Sequence, residues 1–265
     1  MRTKRRPFLT AEWRHLAMLS YRADPALLAP LVPAGTELDL WRDQALVSIV
    51  GFQFLQTRVR GLAIPYHQGF EEVNLRFYTK RLVGGELRRG VTFIRELVPR
   101  RAIATAAQWT YNEPYTAVPM RSSISMSTSG APATVTYEWR TSRSRASDWC
   151  SLRVAVHDAT PTIPDADSDA RFVTEHYWGY TRQRDGSTLE YEVEHPRWRV
   201  RAAADASLHG DLTALYGDAF AGILQTPPCS AFLADGSAVT VFDPVALEAG
   251  AGGEGLAVSH SPGPA

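Results

Sequence analysis

The chain has 265 residues, of which 45% are hydrophobic and 21% are charged, and its formal net charge at pH 7 is zero. These values are typical of a globular protein with enough apolar material for a substantial core. A neutral chain has no overall field that would recruit nucleic acid or an anionic membrane, and no apolar run approaches the ~18 residues of a transmembrane helix. We therefore expect neither partner.

The basic residues are almost all arginine: of 28, only Lys4 and Lys80 are lysine. Amine chemistry has few candidates here, whereas bidentate recognition of carboxylate or phosphate has many. Cys150 and Cys229 show neither CxxC nor Cys/His spacing, which predicts reduced packing residues and a cytoplasmic location. No phosphate-binding loop or zinc motif is present, so we expect no cofactor and no metal.

The first part of the chain predicts a strand, a short helix and two more strands. Residues 11–22 favour a strand, and Asp24 is placed to cap a helix with proline at its first position. Residues 36–41 predict an alternating strand. Residues 44–57 predict a long apolar strand interrupted at Gly51.

The segment from His67 to Arg101 predicts a β-hairpin. The pair Gly84–Gly85 supplies the positive φ of a tight turn, and Pro99 ends the return strand. With period two, the opening strand separates an apolar face from a polar one, with Val73, Leu75 and Phe77 against Glu72, Asn74, Arg76 and Tyr78. The mixture of acid, amide, guanidinium and phenol favours a polar pocket; a solvated face with cross-strand ion pairs is the alternative.

The second half of the chain predicts mostly short strands. Helices are expected over 100–112 and 211–224. A strand pair is expected over 118–130 and 133–142, followed by a single strand over 151–159. Strands over 179–183 and 188–195 are joined by a turn at Asp185–Gly186, and 195–203 continues that meander. A last hairpin is expected at Asp235–Gly236.

This pattern favours one mainly β domain over residues 1–245, an antiparallel barrel-like sheet with peripheral helices. Residues 246–265 are rich in Gly, Ala and Pro, which predicts a disordered tail. The sequence leaves the oligomeric state open.

The seven histidines are scattered, and no pair has a metal-ligand spacing. His176, in the aromatic run HYWGY, is the histidine best placed for a pocket, with an aromatic wall packed on the core as the alternative. His195, followed by Pro196 and close to Trp198, favours a structural strand corner over a catalytic base.

Four stretches, RHLAMLSYR, LLAPLVPAGTELD, FEEVNLRFY and RELVPRR, resemble the uncharacterised YqjF-like family, domain of unknown function 2071. This family is a branch of the acetoacetate decarboxylase-like superfamily, and the resemblance covers residues 8–244. It implies a cone-like, closed antiparallel β-barrel with an internal cavity. It also matches Arg14 to a strand that begins with an active-site arginine.

The chain departs from the decarboxylase where that enzyme carries its lysine pair, because Arg100 and Arg101 stand there. A guanidinium stays protonated and cannot form an imine. The catalytic Glu of the decarboxylase falls near Val50, and Lys80, near the end of the hairpin, is expected to be solvated. We therefore do not expect acetoacetate decarboxylation through an imine.

Two functions follow. In the first, the cavity binds a small carboxylate or oxo-acid and supports lyase- or isomerase-like enol chemistry without a covalent intermediate. The candidate acid–base residues are Glu72, His67 and His176, and the candidate ligand-binding residues are Arg14, Asn74, Arg76, Arg95, Glu96, Arg100, Arg101, Tyr177 and Tyr180. In the second, the protein is a non-catalytic binder or sensor of small or aromatic ligands, walled by Tyr177, Trp178 and Tyr180. A third interpretation has Arg100 and Arg101 pairing at the surface, with no site.

Overall fold

The computed structural model describes residues 5–63, 69–100, 112–128, 130–141 and 149–247. Within these ranges there are three α-helices, α1 (Pro25–Leu28, followed by a 3-10 turn at Ala29–Leu31), α2 (Asp169–Thr174) and α3 (Thr213–Leu224). The strands are β1 (Pro7–Ala23), β2 (Glu37–Leu38), β3 (Ala45–Val59), β4 (Leu62–Ala63), β5 (Phe70–Val83), β6 (Glu86–Val98), β7 (Tyr115–Ala117), β8 (Met120–Met126), β9 (Pro132–Arg140), β10 (Trp149–Val156), β11 (Trp178–Arg182), β12 (Thr188–Glu194), β13 (Val200–His209), β14 (Ser230–Phe242) and β15 (Val245–Ala246).

Seven strands form a closed circuit of pairings. The order is β14–β1–β3–β5–β6–β11–β12, and β12 pairs with β14 again through Val193 opposite Val241. Most of these pairs are antiparallel, as the sequence predicts, but β6 departs from that pattern and pairs in parallel with both β11 and β7. Beyond β14 the sheet continues through β13, β10, β9 and β8 and folds back over the circuit.

The larger apolar core lies between the circuit and this second layer. Leu19, Ile49 and Leu75 pack there with Tyr137 of β9 and Leu152 of β10, and one face of α3 closes the cluster. The fold is mainly β, as the sequence predicts. No helix in the described part of the chain combines the length and apolarity needed to cross a membrane.

The predicted hairpin is confirmed as β5 and β6. Gly84 and Gly85 both have positive φ, 56° and 83°, between the paired residues Val83 and Glu86. Strand β6 ends at Val98, directly before Pro99, because proline has no N–H to donate to the next pair.

A bulge in β6 changes which side chains face into the circuit. Leu75 pairs with Arg95, but Arg76 pairs with Phe93, so Ile94 is an extra residue that shifts the alternation by one. Phe93 and Glu96 therefore lie on the same side, and Arg95 is directed to the other.

Local turn and cap signals were predicted well. The Asp24 carboxylate accepts a hydrogen bond from the Ala26 N–H at 2.8 Å and caps α1 as predicted. The turn at Asp185–Gly186 joins β11 to β12, and Gly186 has φ 85°.

Two glycines were misread as breaks. Strand β3 continues through Gly51, where a Cβ would lie 2.5 Å from the Tyr137 ring, so this glycine serves close packing. The predicted hairpin at Asp235–Gly236 is also wrong, because β14 is one continuous strand. Gly236 has φ 75°, and a Cβ there would meet the Trp13 carbonyl oxygen at 2.0 Å.

Other boundaries differ from the sequence prediction. The strand expected over 36–41 is reduced to β2, and β13 leaves the β11–β12 meander to pair with β10 and β14. Gly217 interrupts α3 with non-helical φ and ψ. Strand β15 includes Ala246, which the sequence assigned to the tail. The tail beyond 247 and the helix expected over 100–112, apart from its two end residues, lie outside the described residues.

Candidate functional site

The strand circuit encloses a cavity of about 410 Å³. This volume is at the lower end of the range of small-molecule sites. The residues that line it are Phe8, Leu9, Trp13, Leu16, Val50, Phe52, Phe54, Thr57, Val59, Phe70, Glu72, Asn74, Arg76, Val91, Phe93, Glu96, Glu113, Tyr115, Val173, Thr174, His176, Trp178, Tyr191, Val193, His195, Trp198 and Val241.

One wall of the cavity is aromatic and comes mainly from β1 and β3. Trp13 makes edge contacts with Phe52, Phe54 and Trp198, with ring centroids 5.3, 5.7 and 6.3 Å away. His195 stacks on Trp198 at 4.2 Å, and its Nδ1 lies 2.9 Å from the Pro196 carbonyl oxygen. His195 therefore lines the cavity as part of this wall and makes the strand corner that the sequence suggested.

A second wall, next to the aromatic one, is polar and comes from β5, which pairs with β3. Glu72, Asn74 and Arg76 face the cavity because the residues between them, Val73 and Leu75, are fixed in the apolar core on the other face. All three polar side chains are buried, with 2%, 1% and 9% of their surfaces exposed. The division of this strand into two faces is the one that the period-two pattern predicted.

Two further carboxyl groups join Glu72 to form a carboxyl cluster, Glu72, Glu96 and Glu113. Glu96 stands opposite Asn74 on β6, and Glu113 precedes β7, which pairs in parallel with β6. The Tyr115 hydroxyl donates to Glu72 Oε2 at 3.1 Å. All three carboxyl groups are buried.

Glu113 and Glu72 are also held by neutral donors. The Thr181 hydroxyl donates to Glu113 Oε1 at 3.2 Å, and the Tyr191 hydroxyl donates to the same oxygen. Asn74 Nδ2 donates to Glu72 Oε1 at 3.0 Å. Among the described residues, no Arg or Lys forms an ion pair with any member of the carboxyl cluster.

Burial makes these carboxyl groups weak acids. It raises the pKa of Glu72 to about 7, with the charge of Glu113 adding to the effect and the Asn74 hydrogen bond opposing it. Burial likewise raises the pKa of Glu113 to about 7, against hydrogen bonds from Tyr191 and Thr181. Burial and the neighbouring carboxylates raise the pKa of Glu96 well above its ordinary value. The cluster therefore holds protons near neutral pH.

Arg76 is the guanidinium of the cavity. Its Nη2 donates to the Val173 carbonyl oxygen at 3.4 Å, and its buried Nε has no hydrogen-bond partner. Within the described ranges, no carboxylate forms an ion pair with it. A buried cation with unused donor capacity is suited to an anionic group of a ligand.

His176 lines the cavity close to Arg76. Its Nε2 lies 3.0 Å from Oδ2 of Asp39, which also accepts from Arg89 Nε at 2.6 Å. Burial lowers the pKa of His176 to about 4, so the imidazole is neutral and donates from Nε2 to Asp39. Its buried Nδ1 is then an acceptor, and no donor in the described residues reaches it.

The structure brings together part of the predicted set of site residues. Glu72, Asn74, Arg76, Glu96 and His176 line the cavity. His67 and Arg101 lie outside the described residues. Trp178, expected as part of the wall of a non-catalytic binder, also lines the cavity, whereas the remaining predicted residues do not.

Those other residues have different surroundings. Arg14 is partly exposed and pairs with Glu12 at 2.9 Å, and Arg100 is exposed. Arg95, turned away by the bulge, donates to the Leu215 carbonyl oxygen and to Thr116. Tyr177 packs against His195, outside the cavity. Tyr180 is buried against a smaller cavity of about 230 Å³ beside Thr181.

Three important residues were missed from the sequence. Glu113 and Tyr115 lie between the helix expected over 100–112 and the strand expected over 118–130, and Tyr191 lies in the strand expected over 188–195; none of the three is among the predicted site residues. The signal was present in the acidic and aromatic run NEPY at 112–115. Its meaning depends on the parallel pairing of β6 with β7, which no local pattern reveals.

Metal ligation has no support in the described ranges, where no group of three or more His, Cys, Asp or Glu is arranged to hold a metal ion. Of the two lysines, Lys80 lies in the described ranges. It forms an ion pair with Glu37 at 3.5 Å and does not line the cavity.

Comparison with known proteins places the sequence among uncharacterised relatives. The profile of DUF2071, described as an uncharacterised conserved protein, matches residues 10–238. The uncharacterised protein YqjF of Bacillus subtilis (strain 168) is 27% identical over 203 residues, which cover 72% of this chain and 74% of the relative.

Two solved structures share the fold at low identity. Acetoacetate decarboxylase from Legionella pneumophila superposes with a TM-score of 0.62 at 12% identity and covers 91% of this chain and 87% of its own. The enduracididine biosynthesis enzyme MppR, complexed with pyruvate, gives 0.62 at 14% identity and covers 93% of this chain and 92% of its own. At these identities the likeness establishes the fold.

Proposed function

The chain belongs to the DUF2071 family of uncharacterised conserved proteins, and we propose that it binds a small organic acid, an oxo-acid, with the ligand carboxylate on Arg76. The support comes from the chemistry of the cavity, and pyruvate in the related fold of MppR is consistent with it. The closed circuit of strands would be the barrel expected of the superfamily. Residues 1–245 would form its single domain, in the cytoplasm.

Arg76 carries this proposal. A buried guanidinium is costly unless a partner neutralises it, and its planar fork matches the two oxygens of a carboxylate. The described residues supply to it the Val173 carbonyl oxygen and the Tyr78 ring, 5.9 Å away, but no carboxylate ion pair. This role was expected of Arg14, Arg100 and Arg101; we assign it instead to Arg76.

We assign proton transfer to Glu72. Its pKa of about 7 suits a general acid–base group at neutral pH, and it lies on the same strand face as Arg76. The Glu72 carboxylate would remove a proton from the carbon next to the ligand carbonyl, and the C–H electron pair would become the enolate C=C bond. The resulting oxyanion would be stabilised by Arg76, and the neutral His176 would accept a hydrogen bond from a hydroxyl substituent of an oxo-acid that carries one.

This route needs no imine. In the described residues no lysine lines the cavity, and Lys80 is committed to Glu37 near the hairpin end. The chemistry is therefore lyase- or isomerase-like and proceeds without a covalent intermediate.

Two variants test the assignment with pyruvate as the probe. In heavy water, the wild type should exchange the pyruvate methyl protons, followed by NMR. Glu72→Gln should abolish exchange while calorimetry still detects binding. Arg76→Gln should weaken binding about 10- to 100-fold, the range of a charged hydrogen bond.

Arg14→Gln and Arg100→Gln are the matched controls, since both remove an arginine outside the cavity. If they abolish binding and Arg76→Gln does not, the assignment to Arg76 is wrong. Arg76→Lys keeps the positive charge but removes the planar pair of N–H donors that matches a carboxylate. A folded Arg76→Lys variant that binds pyruvate as well as the wild type would also contradict the proposal.

A second function, a non-catalytic binder or sensor, is favoured by the aromatic wall around Trp13. Phe52, Phe54 and Trp198 offer the apolar surface that an aromatic ligand needs. Binding without any exchange of ligand protons, unaffected by Glu72→Gln, would support this function over the enzyme.

A further inference from the structure

The polar wall of the cavity contains more acceptors than donors. Asn74 is 1% exposed, its Nδ2 donates to Glu72, and its Oδ1 has no donor in the described residues. Nδ1 of His176 is a second buried acceptor without a donor. A ligand that fills this cavity must bring N–H or O–H groups to it.

The carboxyl cluster determines which kind of donor fits best. Three carboxyl groups lie within electrostatic range of one another, and no basic side chain of the described residues neutralises them through an ion pair. The described residues also offer no arrangement for a metal ion. A positively charged organic group satisfies both the acceptors and the charge, because ionised hydrogen bonds are the strong ones.

We propose that Glu72, Glu96, Glu113 and Asn74 form a subsite for the ammonium group of a ligand whose carboxylate lies on Arg76. This rests on the proposed function and narrows its substrate class. The ligand is an amino-substituted organic acid, neutral overall, that spans the polar wall.

The spacing along β5 indicates how far apart the two charges of the ligand lie. With a rise of ~3.4 Å per residue, the Cα atoms of Asn74 and Glu72 lie about 7 and 14 Å from that of Arg76. The Arg76 and Glu72 side chains close part of this distance, because the charge of Arg76 acts on the Glu72 carboxyl group, so the carbon next to a ligand carbonyl can lie at Glu72. An amine two or three carbons farther from the carboxylate than an α-amino group reaches past that carbon to the rest of the carboxyl cluster, and about 410 Å³ accommodates such a chain.

Binding of a cation at this subsite requires the carboxyl groups to be ionised. Burial raises the pKa values of Glu72 and Glu113 to about 7, so an ammonium ligand should bind more tightly as pH rises from 6 to 8 and should release protons. If protonated Glu96 instead donated to a ligand carbonyl, affinity would fall over the same range. The charged and titratable groups around the subsite are Arg76, Tyr115, Tyr191 and His176, the last with Asp39 and Arg89 behind it.

Calorimetry with three ligands that share a four-carbon chain tests the subsite: γ-aminobutyrate, γ-hydroxybutyrate and butyrate. At pH 8 the wild type should bind the amine about tenfold more tightly than the alcohol, the difference that one charged contact supplies, and less so at pH 6. Glu96→Gln, with Glu113→Gln as a second variant, should remove this preference. Glu71→Gln changes the neighbouring position on the opposite face and should preserve it.

The outcomes separate the two proposals. If the three acids bind equally at both pH values and Arg76→Gln weakens all of them, the carboxylate site stands and the ammonium subsite is wrong. Butylamine, which lacks a carboxylate, probes the subsite alone. Its binding to the wild type and not to Glu96→Gln supports the subsite even if pyruvate does not bind. If neither butylamine nor γ-aminobutyrate binds, the subsite is overturned.

Discussion

The described part of the molecule buries glutamate carboxyl groups at Glu190 and in the carboxyl cluster, and the two surroundings treat them in opposite ways. Glu190 of β12 is 2% exposed and is surrounded by arginines, with Arg88, Arg5 and Arg81 at 2.5, 3.1 and 3.4 Å. The carboxyl cluster is equally buried but has only hydroxyl and amide donors beside it in the described residues. Charge neutralised within the fold supports structure, whereas charge left unneutralised is available to protons and ligands.

The surroundings of Glu190 are consistent with a structural role. Arg5 and Arg88 also lie over the Trp178 ring, at 4.5 and 4.3 Å from its centroid. Each guanidinium therefore has a carboxylate and an aromatic face, and the group ties the chain start to β6, β11 and β12.

The largest expected effect comes from breaking the neutralised site. Glu190→Gln leaves Arg5, Arg81 and Arg88 without their shared carboxylate. Complete burial would make this loss worth about 3–5 kcal/mol, and since the arginines are partly solvated we expect about 2–3 kcal/mol less free energy of unfolding in urea. Glu194→Gln, an exposed position at the end of the same strand, is the control and should change little. Equal effects of the two variants would contradict the structural role.

Removing a charge from the carboxyl cluster should raise the free energy of unfolding, whereas removing the charge of Glu190 lowers it. Folded Glu72 retains its proton up to a pKa of about 7, against an ordinary value of 4.5, so its contribution to stability falls as pH rises between these values. Glu72→Gln should therefore become more stable than the wild type by about 1–3 kcal/mol at pH 8, with no gain near pH 4.

The quantity to measure is the difference between the two urea curves as a function of pH. His176, whose pKa is lowered to about 4, loses stability as pH falls below 6.5, but it does so in both proteins and cancels. If Glu72→Gln is less stable than the wild type at pH 8, the Glu72 carboxylate stabilises the fold as the Glu190 carboxylate does, and the prediction is wrong.

The smallest change in stability is expected for a residue that lies outside both the Glu190 group and the carboxyl cluster. Lys80 and Glu37 form a surface ion pair with 29% and 72% of their side chains exposed, so Lys80→Gln should change stability by less than about 0.5 kcal/mol. Pyruvate binding and proton exchange should be unchanged, and borohydride with pyruvate should add no mass to the wild type. A mass adduct that disappears in Lys80→Gln would require an imine after all.

The parts of the fold that could be read from the sequence are the ones set by neighbouring residues. The Gly84–Gly85 turn, the Asp24 cap and the alternation along β5 are local signals, so the facing of Glu72, Asn74 and Arg76 could be predicted.

The other site residues are brought together by pairing between strands, which local sequence patterns do not reveal. Glu113 reaches Glu96 only because β6 and β7 pair in parallel, and Tyr191 arrives from β12. Gly236 looked like a turn because its backbone has the conformation of one, yet that conformation is used inside β14 where the chain passes Trp13.

The extra residue in β6 has a consequence for how such a protein diverges. Deleting Ile94 would remove the bulge and leave Leu75 opposite Arg95 and Asn74 opposite Glu96, so both side chains would keep the faces they have now. A three-base deletion in the gene would then shorten the strand by one residue while the acid stays in the pocket and the hairpin turn stays the same. One strand of this scaffold can thus absorb a change of length with no change at any residue that touches the ligand.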